Sequence, residues 1–170
     1  TQNPVDFMGT YPLPEAQLDR FFMRISIGYP NAEEEADILE RYTSGKKPMD
    51  DLRPICTSGD ILRLQQEVEG VHTSREVRAY IANIAAASRR NSALQLGIST
   101  RAAISLLRAS QACALLDGRD YVIPEDVQRM ATPVLAHRMV LSPEASMRNM
   151  TAERVLQGVM GAVAVPVKVK

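Results

Sequence analysis

LGISTRAAISLLRASQACALLDGRDYVIPEDV, residues 96–127, decides the fold class. A helix is predicted over residues 99–116, the longest in the chain, with Ala103, Ile104, Leu106 and Leu107 forming a broad apolar stripe. Asp117-Gly118 stops it. Tyr121-Val122-Ile123 is a short extended piece. Pro124, suited to a first helical turn because its missing N–H costs nothing there, opens a second helix with Val127, Met130, Val134 and Leu135 inward. Helix, tight turn, short extension and helix again describe one layer of a helical bundle.

The same pattern continues outward. Downstream, a loop holds Pro143, and Thr151 caps a last helix that uses Val155, Leu156, Val159 and Met160. The tail at 165–168 is extended at most, and Pro166 would confine it to an edge. Upstream, residues 89–97 read as a polar connection. Before it, Thr73 and Glu76 have capping-box spacing and start a helix carrying Val77, Tyr80, Ile81 and Ile84 at i, i+3, i+4 and i+7. Residues 58–69 form another helix with Ile61, Leu62, Leu64 and Val68, preceded by a loop at 43–57 containing Gly45, Pro48 and Pro54. Asn31 caps a helix whose first turn holds Glu33, Glu34 and Glu35, with Ile38, Leu39 and Tyr42 on its apolar face. Residues 22–27 alternate, Met23, Ile25 and Ile27 against Arg24 and Ser26, which predicts a half-buried strand ended by Gly28-Tyr29-Pro30. Pro14 starts a short helix reaching Arg20. The expected fold is therefore mainly α: a short α/β piece over residues 1–30, then a helical domain over 31–170.

Composition agrees. The 170 residues are 45% hydrophobic but only 5% aromatic, with no Trp, so the core must be built from Leu, Ile, Val, Ala and Met, as helices packed on helices are. Lys plus Arg equals Asp plus Glu at 20 each, which leaves no basic field for nucleic acid. Cys56 and Cys113 lie in unrelated contexts without a CxxC or His/Cys cluster; no metal site is expected, and both read as small buried apolar groups in a reducing cytoplasm. No apolar run reaches the roughly 18 residues of a membrane span, and the first residues do not form a signal peptide. Thr1-Gln2-Asn3 reads as the tail of a strand, as if the chain opened inside an element.

Three stretches carry a resemblance. TQNPVDFMGTYPLPEAQLDRF at residues 1–21, the quoted stretch at 96–127 and LAHRMVLSPEA at 135–145 together resemble the MoxR family of AAA+ ATPases. The first is similar to that family's passage from sensor 1 to the arginine finger, and the second to its sensor 2 helix and the helix after it. The resemblance implies the C-terminal half of the ATPase module: a remnant of the α/β core followed by the helical lid. Two departures stand out. No G-x-x-x-x-G-K-[ST] phosphate loop and no acidic strand end of the Walker B type occur, and Ile123 stands where a small capping hydroxyl is usual before Pro124. ATP and Mg2+ are accordingly expected in an intact parent and not on this chain alone, which is expected to be inactive. The parent would be a homo-oligomeric ring, a hexamer, remodelling or assembling a protein client such as a metalloprotein or cell-envelope complex, in the cytoplasm, without nucleic acid or membrane insertion.

Each candidate residue has a plain reading beside the one the resemblance implies. Arg20, at the seam between a short helix and an apolar run, is either a surface arginine paired to a carboxylate or the arginine finger that reaches a neighbour's γ-phosphate in trans. Arg101 is a cation in the first turn of a helix, where it opposes the macrodipole. That placement makes sense if helix start and guanidinium face one phosphate, and the resemblance makes Arg101 sensor 2; otherwise its stem snorkels to solvent. Asn3 before Pro4 is a turn former, or by the resemblance sensor 1. Asp6, Glu15 and Asp19 are not distinguished from solvated charges, and His137 with Arg138 reads as a complement to a helix C-terminus. Two rivals remain: a helical adaptor that binds partner helices through an apolar patch, with Arg20 and Arg101 far apart, and a helix-turn-helix nucleic-acid binder, which the neutral charge opposes. A strand at 22–27 without its sheet would be an unpaired edge, so residues 1–30 are expected to be displaced, swapped or poorly ordered.

Overall fold

The structure is a computed structural model that describes residues 13–43, 49 and 52–166. Asn3, Asp6, Gly45, Pro48 and the end of the tail lie outside the described residues, as does the side chain of Glu15, so the expectations placed on them find no counterpart here. Of the described residues, 25–66 form one compact unit, and 13–24 together with 67–166 form another.

The 25–66 unit holds α2 (Ala32–Thr43) and most of α3 (Ser58–Gly70); α1 (Glu15–Leu18) precedes it. Asn31 caps α2 as expected: its Oδ1 accepts the N–H groups of Glu33 (3.0 Å) and Glu34 (2.9 Å), and the Glu34 carboxylate accepts the Asn31 N–H at 2.9 Å. Thr57 and Asp60 cap α3 by the same reciprocal exchange. The apolar faces are where expectation and structure part. Neither helix buries a residue, and Ile38, Leu39, Tyr42, Ile61, Leu62 and Leu64 all face solvent. Residues 22–27 form no strand and are exposed. Alternation permits a strand, but a strand exists only where a neighbour completes its hydrogen-bond ladder, and among the described residues none lies beside this one.

The larger unit is the helical bundle. It contains α4 (Arg75–Arg89), β1 (Leu94–Leu96), α5 (Thr100–Leu116), α6 (Pro124–Leu135), a 3-10 turn (Ala136–Arg138), β2 (Val140–Leu141), α7 (Pro143–Met147) and α8 (Ala152–Gly161). Val77, Tyr80, Ile81 and Ile84 of α4 are buried as their spacing predicts, as are Val127, Val134 and Leu135 of α6 and Val155, Leu156 and Val159 of α8. Ser74 caps α4, one residue later than the predicted Thr73. In α5 the buried face is Ala102, Leu106, Ala109, Ser110, Cys113 and Ala114, while Ile104 is 53% exposed. The stripe is rotated from the expected one because small residues, not large aliphatics, line the seam with α6 and let the two helices approach closely.

The connection at 89–97 is more ordered than predicted. Leu94 and Leu96 pair antiparallel with Leu141 and Val140 across a bulge, and the Ser142 N–H donates to the Ala93 carbonyl at 2.9 Å. Gly97 then lies against the end of α4. A Cβ there would fall 2.8–2.9 Å from the Arg89 N and Cα and the Ser88 carbonyl carbon. That approach lets the buried Ser88 hydroxyl accept the Ile98 N–H (2.9 Å) while Arg89 Nε donates to the Ile98 carbonyl (2.8 Å), fixing where α5 begins.

The turn after α5 is closed by one arginine. Gly118 takes φ +74°, and Arg119 donates to both carboxylate oxygens of Asp126 (2.8 and 2.7 Å), to Asp117 (3.0 Å) and to the Tyr121 carbonyl (3.1 Å). Asp126 also accepts the Ile123 N–H at 2.9 Å, so a carboxylate at the third helical position supplies the capping that Ile123 cannot. The extended piece pairs with His72: His72 N–H donates to the Asp120 carbonyl (2.7 Å) and Val122 N–H to the His72 carbonyl (2.9 Å). Among the described residues no helix is long and apolar enough to cross a membrane.

Two glycines test this account with opposite signs. Gly97→Ala forces backbone against backbone and is expected to destabilise the bundle by about 1–3 kcal/mol, read as a lower urea midpoint by circular dichroism. Gly158→Ala, in α8 with nothing within 4 Å of the added methyl, is expected to stabilise it by about 0.5–1 kcal/mol. Asp126 gives a pH test. Burial pushes its carboxyl up, but Arg119 and the Ile123 N–H outweigh that and hold it below its ordinary value. Its stabilising contribution is full above the unfolded value near ~3.9 and is lost as pH falls through the folded one. Asp126→Asn should therefore flatten the acid limb of the stability curve below about pH 4.

Candidate functional site

The start of α5 carries the unusual chemistry. Ser99 is its N-cap, its Oγ accepting the Ala102 N–H at 3.1 Å, yet the first turn contains no acidic residue and does contain Arg101. The missing negative charge comes from far away in sequence. Asp19, just past α1, accepts a hydrogen bond from the Ser99 hydroxyl at 3.1 Å, and its other carboxylate oxygen lies 3.6 Å from Arg101 Nη1. The carboxylate thus offsets both the helix dipole and the cation placed on it. Arg101 is two-thirds exposed and the pair is long, so it is a loose tether. Arg20 follows Asp19 in the chain and is exposed, without an ion pair among the described residues.

The residues after Arg20 are fastened to the bundle by a second arginine. Arg138, in the 3-10 turn, is only 8% exposed. It donates to the carbonyls of Phe21 and Phe22 and, at 3.2 Å, to the Ser105 hydroxyl on α5. His137 Nε2 lies 3.2 Å from the same Phe21 carbonyl, and the Arg24 N–H donates to the Pro133 carbonyl at 2.8 Å. Residues 19–24 are therefore pinned to α5 and to the end of α6 at several points. Burial lowers the Arg138 guanidinium from its usual range, the charge of Asp19 works against that, and Arg101 adds to the lowering. Burial also lowers His137, more than the Phe21 carbonyl raises it, which keeps the ring neutral at pH 7. The same Nε2 lies 3.3 Å from Arg138 Nε, and Nδ1 is buried without a hydrogen-bond partner among the described residues.

Arg20, Asp19 and Arg101 thus fall in one region, with Arg138 beneath them. Two of these were passed over in the sequence. Asp19 carried no local signal, its partners being about 80 residues distant. Arg138 did carry one: a guanidinium inside the run Leu135-Ala136-His137-Arg138-Met139-Val140 has to be buried or wasted. One other cluster was unforeseen. Cys113, Asp117 and Asp126 bring ligand atoms within 4.8 Å of one another, but Arg119 already occupies both carboxylates, which suits a structural ion pair better than a metal. Cys113 is buried as expected, whereas Cys56 is exposed.

Several known proteins are similar to this chain. Residues 86–159 match the family described as the AAA lid domain, and residues 1–23 match the ATPase family associated with various cellular activities. The uncharacterized protein YeaC of Bacillus subtilis is 45% identical over 99% of this chain and 52% of its own length. The chaperone MoxR1 of Mycobacterium tuberculosis is 38% identical over 98% of this chain and 46% of its own. A crystal structure from Cytophaga hutchinsonii, provisionally assigned as an ATPase, superposes with a TM-score of 0.89 at 34% identity, over 98% of this chain and 53% of that one. The chain spans about half the length of the curated relatives it matches.

Arg138→Met should loosen residues 19–24 without unfolding the bundle. Hydrogen exchange at the Arg24 amide is expected to accelerate at least about tenfold, with a stability loss of about 1.5–3 kcal/mol for hydrogen bonds from a charged donor. Unchanged exchange at Arg24 would show that Arg138 does not hold this segment.

Proposed function

The chain belongs to the MoxR family of AAA+ ATPases, and from that premise we propose that it is the later half of a ring-forming protein that hydrolyses ATP to remodel or assemble a client. Residues 1–30 are the end of the α/β core and 31–170 the lid region. Arg20 is the arginine finger, acting on ATP held by the neighbouring subunit; Arg101 is sensor 2, reading the phosphate in its own subunit; Asn3 is sensor 1. One observation carries this reading: Asp19 joins the segment that bears Arg20 to the helix start that bears Arg101. The rival adaptor reading places the two arginines far apart; Arg20 adjoins Asp19 in the chain and Arg101 pairs with it, which speaks against that reading.

The residues present fit one side of a nucleotide site. Arg101 is exposed at a helix start that lacks an acid of its own, and its planar, permanently charged donor fork suits a phosphate. ATP supplies the phosphoanhydride that is cleaved. The phosphate-cradling loop and the carboxylates for Mg2+ belong to the half of the relatives this chain does not span. By itself the chain is then inactive. The working ring is a cytoplasmic homo-oligomer, a hexamer, and its client is a metalloprotein or cell-envelope complex, in line with the chaperone assignment of MoxR1.

The test uses rings of the full-length protein carrying this chain. Subunits bearing Arg20→Ala are mixed with subunits whose phosphate-binding lysine is substituted, and ATP turnover is measured. Turnover at sites completed by the substituted finger is expected to fall by about 10³–10⁵. A mixture as active as one made with wild-type fingers would remove the trans role.

A further inference from the structure

We propose that Asp19 is a positioning residue that holds Arg101 while no phosphate is bound, and that its release from Arg101 repositions the neighbouring Arg20. This rests on the reading of Arg101 and Arg20 given above, and it adds the link between them.

Three observations carry it. First, the Asp19 carboxylate stands at the place and with the charge that a bound phosphate would have: at the N-terminus of α5, hydrogen-bonded to its cap Ser99 and 3.6 Å from Arg101. A phosphate bound at this helix start would stand beside the Asp19 carboxylate, and two anions in one place repel, so phosphate binding to Arg101 competes with Asp19. Second, the tether is weak enough to lose. An exposed pair of this length shifts an equilibrium by no more than about fivefold, far less than a charged bidentate contact to phosphate. Third, the chain on either side of Asp19 differs in freedom. Phe21 and Phe22 are fixed through their carbonyls by buried Arg138, which makes no carboxylate contact among the described residues, while Arg20 between them and Asp19 is exposed. The Arg20 N–H donates to the Gln17 carbonyl at 3.2 Å, so movement of the Asp19 carboxylate reaches Arg20 through the turn that ends α1 and is taken up by its exposed side chain. Two guanidinium groups, Arg101 and Arg138, face this single acid, so the cluster already holds an excess of positive charge that a phosphate would neutralise.

In a ring, this makes the finger offered to one subunit depend on the nucleotide held in the next. Asp19→Asn removes the competitor. In the full-length protein it is expected to tighten ATP binding about two- to fivefold by calorimetry and to bring the Hill coefficient of ATP turnover down to about 1. Asp19→Glu, which keeps the charge, should restore the cooperativity at least in part. Ser99→Gly retains most of the capping but frees Asp19, so it should move affinity and cooperativity in the same direction as Asp19→Asn and serves if that variant does not fold. Arg101→Ala separates the two levels of the argument. If it weakens ATP binding while Asp19→Asn and Ser99→Gly change neither affinity nor cooperativity, the positioning role of Asp19 is overturned and the sensor reading stands. If Arg101→Ala leaves ATP affinity unchanged, both fall.

Discussion

A buried guanidinium that meets no carboxylate among the described residues must find neutral acceptors, and Arg138 finds them in the backbone of a segment more than a hundred residues earlier in the chain. That requirement organises the site. An arginine cannot shed its proton inside a protein, so once Leu135 and Met139 draw the 3-10 turn into the core, its donors must be met. The carbonyls of Phe21 and Phe22 and the Ser105 hydroxyl meet them. Ser105 belongs to α5, so one side chain ties the segment after Arg20, the 3-10 turn and the longest helix together, and Asp19 is thereby brought within reach of Ser99 and Arg101.

The start of α5 is over-determined from two sides. From within the bundle, Gly97 allows contact with the end of α4, and Ser88 and Arg89 hold both polar groups of Ile98. From outside, Asp19 supplies the acid that the first turn lacks. A helix so fixed places Arg101 reproducibly, which suits the sensor role proposed for it. The match to the AAA lid domain, over residues 86–159, includes this helix.

How much of this the sequence disclosed follows from the range of the interactions. Helices α4, α6 and α8 were legible because three turns of large aliphatic residues at helical spacing leave little choice of face. The caps at Asn31 and Thr151 were legible because capping is local. The buried face of α5 was misjudged because Ala102, Ala109, Ser110, Cys113 and Ala114 look neutral in a hydrophobicity pattern yet bury best where helices come close. Strands of three and two residues are too short to show a period. At 22–27 the period was present and the partner strand was not. In the site, Arg101 was visible as a cation against a dipole, whereas the bonds of Asp19 and Arg138 join distant stretches and no spacing announces them.

The bare apolar stripes of α2 and α3 bear on how the isolated polypeptide behaves in the tube. Ile38, Leu39 and Tyr42 on α2 and Ile61, Leu62 and Leu64 on α3 are all exposed, on a molecule whose formal charge is zero at neutral pH. Electrostatic repulsion between copies is then minimal, and the solubility ceiling should sit low near the isoelectric point of about 6.7. Salts that strengthen apolar association, ammonium sulfate foremost, should drive it out of solution early, while moving a unit or two of pH to either side should keep it dispersed.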